Sequence, residues 1–303
     1  MPERLRRSRV ASRALGCART VLVHLPEAYE RADQQFPVVY LLRGHHREWA
    51  NPCEDSHRAG RSAPWVADAL VRQGRMGPVV LVMPPLTSAD GRVHSLGVNL
   101  RAPRLARGAA GVGRGCFEDF LVHDVIPAVE RHFRVLPGGR HRAVDGFSVG
   151  GFAALSLALR HAGLFASVGA FDGTFLYADG VTPDGIPDHL LSDPSLAAAL
   201  GQPVDLDHLR RYNPANLVQT VPDALLRQLR VHLQCAPRES EPSDSNFFRT
   251  EHLLRLLEAR GQRNALGQPV LPGSRHNWYW ADEHLLRSLP WHESIIRAGA
   301  GAG

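Results

Sequence analysis

Apolar residues along the chain fall into two kinds of pattern. Pro37-Val38-Val39-Tyr40-Leu41-Leu42 and Pro78-Val79-Val80-Leu81-Val82-Met83 are continuous apolar runs, closed by Gly44 and by Pro84-Pro85. Runs of that length and β-branched content predict strands buried on both faces, as in a parallel sheet. Between them, Ser62 and Pro64 start a helix whose apolar stripe includes Trp65, Val66, Ala69 and Leu70, which completes a strand–helix–strand unit. Phe117, Phe120, Leu121, Val125, Ile126 and Val129 continue at helical spacing, with Pro127 expected to bend that helix.

Further strands are expected at 142–145, 167–171 and 229–233, and an early antiparallel edge strand at 21–25, where Pro26 stops the run. Residues 152–159 are apolar nearly all round, as a helix beneath a sheet would be, and Phe247, Leu253, Leu254, Leu256 and Leu257 stripe a late helix ending near Gly261. This alternation predicts an α/β fold: a doubly wound, mostly parallel sheet with helices on both faces, in a single domain spanning 1–303. Two stretches, 86–115 and 172–222, are too long and too rich in Gly, Pro and polar residues for ordinary connections. They are expected as cap-like insertions over the C-terminal edge of the sheet, where substrate selection would reside.

Charge and cysteine usage narrow the classes. All 35 basic side chains are Arg, and the net charge of +5 is spread along the chain rather than gathered into a stripe, so nucleic-acid binding is not expected. No stretch approaches the roughly 20 apolar residues of a membrane span. The Arg-rich start lacks the apolar run of a signal peptide, and a cytoplasmic location is expected. Cys17, Cys53, Cys116 and Cys235 stand singly, without zinc or disulfide spacing. His45 and His46, with Cys53, Glu54, Asp55 and His57 after them, likewise lack a ligand spacing, and no metal is expected.

The chemistry concentrates in Gly146-Phe147-Ser148-Val149-Gly150, a G-x-S-x-G set between a short strand and an apolar helix. In that context the motif is a nucleophile elbow, whose small neighbours allow strand and helix to approach while the serine is lifted to the sheet edge. The Val149 N–H, at the helix start, would face a developing oxyanion. A serine needs a base and an orienting carboxylate, which in this fold follow in the order Ser, acid, His. His276 is the expected base, in the loop after the strand-like stretch 268–271. For the acid, Glu239 is preferred among Glu239, Glu241 and Asp244, which follow the strand ending at Leu233; Asp172, after an earlier strand, is the outside alternative.

Together with Ser12-Arg13-Ala14-Leu15-Gly16, Val23-His24-Leu25-Pro26 and His276-Asn277-Trp278-Tyr279-Trp280, these residues resemble one esterase family. It includes esterase D, S-formylglutathione hydrolases, feruloyl esterases and antigen 85 mycolyltransferases. The resemblance implies Ser148, Glu239 and His276 as catalytic residues and the His45 N–H as second oxyanion donor. Arg43, Gly44 and Trp278 would contact substrate, a small-molecule ester, with no cofactor. Arg43 stands where many relatives have His, Ala236 replaces a Gly, and Glu239 replaces the commoner Asp. An Arg there would either favour an anionic substrate group or brace its loop through Glu54 or Asp55. Acyl transfer to another alcohol, thioester cleavage and a non-catalytic binding role on the same fold are the alternatives. Oligomeric state leaves no trace in the sequence.

Overall fold

The computed structural model describes residues 4–31 and 33–298. Among the described residues seven strands form one sheet: β1 (Leu5–Ala11), β2 (Ala18–His24), β3 (Val38–Leu42), β4 (Val80–Met83), β5 (Arg142–Phe147), β6 (Ser167–Phe171) and β7 (Arg230–Gln234). Their spatial order is β1-β2-β4-β3-β5-β6-β7. β1 pairs antiparallel with β2 and β2 antiparallel with β4; from β4 to β7 every pairing is parallel.

The continuous apolar runs are the central strands, and the pleat explains their composition. In β3, Val38, Tyr40 and Leu42 face one core while Val39 and Leu41 face the other. The first core is covered by helices Val149–Arg160, Ile126–His132 and Phe247–Ala259; the second by Ala63–Arg72 and Trp278–Ala298. β2 is not the edge strand expected from the sequence. Arg6, Arg7 and Arg9 of the N-terminal segment belong to β1, in which they are exposed while Leu5 and Val10 are buried.

Ser62 caps its helix by accepting from Trp65 N at 3.3 Å. Trp65 itself is 48% exposed, and the buried stripe runs instead through Ala63, Pro64, Val66, Ala67, Ala69 and Leu70. Pro127 is absorbed without a sharp break: a wide turn of π type at Phe120–Val125 leads into Ile126–His132, a register in which the missing Pro N–H is not needed. The strand-like stretch 268–271 contributes one parallel bridge, Cys235↔Val270, which returns the chain to the C-terminal edge of the sheet.

The two insertions meet over the helix that follows β5. Leu96 and Val98 from the first and Leu176, Leu196, Leu200, Leu209 and Tyr212 from the second close on Phe152. No helix among the described residues is long and apolar enough to cross a membrane.

Candidate active site

β5 ends at Phe147, and helix Val149–Arg160 starts one residue beyond Ser148. That reversal forces Ser148 to φ 57° and ψ −124°, a strained conformation for a residue with a side chain. It also brings backbones together: a Cβ on Gly146 would lie 2.1 Å from the Gly150 carbonyl oxygen, and one on Gly150 would lie 1.9 Å from that of Leu42. Glycine is required at both places by the close approach.

The Ser148 Oγ lies 3.0 Å from His276 Nε2 and 3.2 Å from Thr174 Oγ1. His276 reaches it from the loop expected, which is fixed by its own N–H donating to the Asp244 carbonyl at 2.8 Å. On the other side of the ring, His276 Nδ1 lies 2.5 Å from Asp172 Oδ2. The ordering that satisfies all three groups has Nδ1–H donating to the carboxylate and Nε2 accepting from the serine hydroxyl.

The carboxylate beside His276 is therefore Asp172 and not Glu239. Register supplies the reason. β6 adjoins β5 in parallel with Phe147 opposite Phe171, so Ser148 and Asp172 leave neighbouring strands at the same level. Glu239 follows β7, one strand further away, and lies exposed in a single turn, Arg238–Ser240. Glu241 accepts from Phe248 N at 3.1 Å, and the Asp244 side chain holds Arg275 at 2.9 Å. The segment after β7 instead grips the acid: Asp172 Oδ1 accepts from Ala236 N at 3.1 Å and Asn246 N at 2.9 Å. Asp172 is fully buried and, like Ser148, has a positive φ, 47°.

Val149 begins its helix, so its N–H is among the four with no intrahelical acceptor and sits at the positive end of the helix dipole. The Gly44 and His45 N–H groups are differently placed: both donate to Glu48 Oε2, each at 2.7 Å. A carboxylate thus holds the N–H expected from His45. Burial pushes the Glu48 carboxyl up from its ordinary value, while Arg43 and these two amides pull it down. Burial followed by the charges of Arg47 and Arg19 lowers His45.

Arg43 lies with its guanidinium 5.3 Å from the Phe147 ring centre, and that ring is 4.7 Å from His276. Trp278 is not at the cleft surface. It is 6% exposed, edge-on to Trp49 and Phe147 with Arg58 stacked over it, and so backs the site from the core. Thr174, Asn246 and Glu48 escaped the sequence reading. For Asn246, and for the pairing of Asp172 with His276, no local signal exists in the sequence. Among the described residues no group of three or more His, Cys, Asp or Glu is arranged to hold a metal.

A mostly parallel sheet with a serine elbow after β5, and a histidine and an acid converging on it, defines an α/β-hydrolase. Within that class the chain belongs to the family described as "Putative esterase", whose model matches residues 12–295. It is 28% identical over 165 residues to Esterase Rv1288 of Mycobacterium tuberculosis, a match covering 54% of this chain and 31% of that protein. The chain thus spans about a third of that relative's length. A ferulic acid esterase superposes with a TM-score of 0.68 at 20% identity, covering 96% of this chain and 98% of the other. The S-formylglutathione hydrolase of Agrobacterium tumefaciens gives 0.62 at 18%, covering 96% and 94%.

Proposed function

We propose that the chain is a serine esterase that hydrolyses carboxylic esters of small molecules through an acyl-enzyme on Ser148. The observation that carries this reading is the unbroken line Asp172–His276–Ser148, ending on a serine strained into the elbow. As Oγ attacks the ester carbonyl, His276 Nε2 takes its proton, and buried Asp172 stabilises the resulting imidazolium through Nδ1–H. Charge moving onto the carbonyl oxygen meets the Val149 N–H. The His45 N–H can join only when Glu48 releases it. Collapse expels the alcohol, which leaves with the proton from Nε2. Water then attacks the acyl-enzyme by the same route, giving its proton to His276 and releasing the acid from Ser148.

Hydrolysis of 4-nitrophenyl acetate and butyrate by the purified protein tests this reading. Turnover by the wild type that is lost in a folded Ser148→Ala variant is the expected result. Equal turnover in both proteins would refute it.

A further inference from the structure

We propose that the cleft is built for esters carrying an anionic group, a carboxylate above all, with Arg43 as the cationic anchor. The inference rests on the esterase reading and names the substrate class for that same site.

Arg43 is the residue immediately after β3, and β3 pairs with β5 so that Leu42 lies opposite Gly146. Arg43 therefore leaves the sheet beside the elbow, close enough that its Cα would be 2.8 Å from a Cβ on Gly150. Its guanidinium lies against Phe147, which lies against the base His276. One aromatic ring separates the cation from the reacting groups.

Nor does the guanidinium brace its own loop. Arg43 Nε is buried without a hydrogen-bond partner. The three carboxylates in reach by sequence are engaged elsewhere. Glu48 holds the Gly44 and His45 amides; Glu54 accepts from Asn51 Nδ2 at 2.7 Å; Asp55 accepts from Trp278 N and His57 N, each at 2.8 Å. Glu48 and Glu54 act on Arg43 only as more distant charges, raising its pKa against the lowering by burial.

The neighbouring wall repeats the pattern. Thr87 and His94 face each other across an antiparallel bridge, and the Thr87 methyl would lie 3.0 Å from a Cβ on Gly44. Thr87 Oγ1 and His94 Nδ1 are buried without partners too, and His94 senses the charge of Arg43. Arg43 Nε, Thr87 Oγ1 and His94 Nδ1, on the adjoining loops after β3 and β4, are thus three polar atoms without a protein partner, where a buried polar group in a native fold is nearly always paired. A carboxylate, with about four acceptor sites, matches two of them as donors and forms the stronger, charge-assisted bond with the third.

The anionic group could sit on the acyl or the alcohol side of the ester, and two substrate pairs separate these. On the acyl side, 4-nitrophenyl hemiglutarate is compared with 4-nitrophenyl valerate; on the alcohol side, 4-acetoxybenzoate with 4-acetoxybenzamide. Wild type is expected to prefer the charged member of one pair by about tenfold or more in kcat/KM at low ionic strength, with the preference falling as salt is added. That ratio should fall about tenfold in Arg43→Met and Arg43→Gln and survive in part in Arg43→Lys, which keeps the charge without the planar fork. Two neutral replacements guard against one that does not fold. Hydrolysis of the neutral esters with no preference in either pair, or a preference that persists in both neutral variants, would overturn the anionic site and leave the esterase reading intact. No turnover of any ester by wild type would overturn both.

Discussion

Among the described residues two Ser–His–Asp lines run through this molecule, and their surroundings differ in every respect that chemistry needs. At the sheet edge, Ser148 meets His276, which meets Asp172, and the His276 side chain is 24% exposed. In the interior, Ser167 Oγ lies 2.7 Å from His292 Nδ1, and His292 Nε2 lies 3.2 Å from Asp145 Oδ2, which also receives His284 at 3.2 Å. All four of these interior residues are fully buried. Ser167 opens the regular strand β6 and does not precede a helix. Burial opposes ionisation of Asp145, yet His284 and His292 outweigh it and hold the carboxyl well below its ordinary range. The same residue types in the same hydrogen-bonded order thus form the proposed nucleophile at one place and an internal strut at the other. Backbone strain at Ser148, the helix-start N–H of Val149 and the exposure of His276 distinguish them.

Exchanging the two serines should give the largest contrast. Ser148→Ala is expected to lower ester hydrolysis by about 10⁴-fold or more, whereas Ser167→Ala leaves the rate constant and costs about 1–2 kcal/mol of stability, read by denaturant titration. The acids sharpen the point. Asp172→Asn should lower kcat by about 10³–10⁴-fold through loss of the correct imidazole tautomer, while Glu239→Gln stays within about threefold. Comparable losses in the two would mean that the carboxylate beside His276 is not the one that works.

Asp145→Asn tests the strut directly. Neutralising one member of a buried charged cluster should cost about 3–5 kcal/mol, with the remaining folded protein still active. The smallest effect concerns acid sensitivity. His232 stacks on His284 with ring centres 5.5 Å apart, and burial, then the charge of His284, lowers its pKa to about 3. Its ordinary value is about 6.5. A depressed histidine stabilises the fold above that ordinary value, and the contribution is lost as pH falls from about 6.5 towards 3. His232→Phe keeps the stacking and removes the titration. Its thermal midpoint should stay within a few degrees of wild type at pH 7 and fall less steeply on acidification.

The sheet was legible because its central strands are buried on both faces and so read as unbroken apolar runs. β1 was not, since an edge strand buries only Leu5 and Val10 while its arginines face solvent. Ser148 and His276 were legible for a different reason: the elbow has a local signature in its glycines, and the His loop has a fixed place in the chain order. The acid has neither. Asp172 becomes the partner of His276 because β6, and not β7, adjoins β5, a fact of strand order that no local pattern carries. Glu48 is similar: only the folded loop shows its carboxylate turned onto the amides of Gly44 and His45.

Labelling with a fluorophosphonate probe, followed by mass spectrometry of the modified peptide, reads the reactivity of Ser148 itself. A single adduct on Ser148 is expected, lost or greatly slowed in Asp172→Asn and His276→Ala but unchanged in Asp145→Asn and Glu239→Gln. A folded protein that takes no label, or takes it on a residue other than Ser148, would contradict Ser148 as the nucleophile.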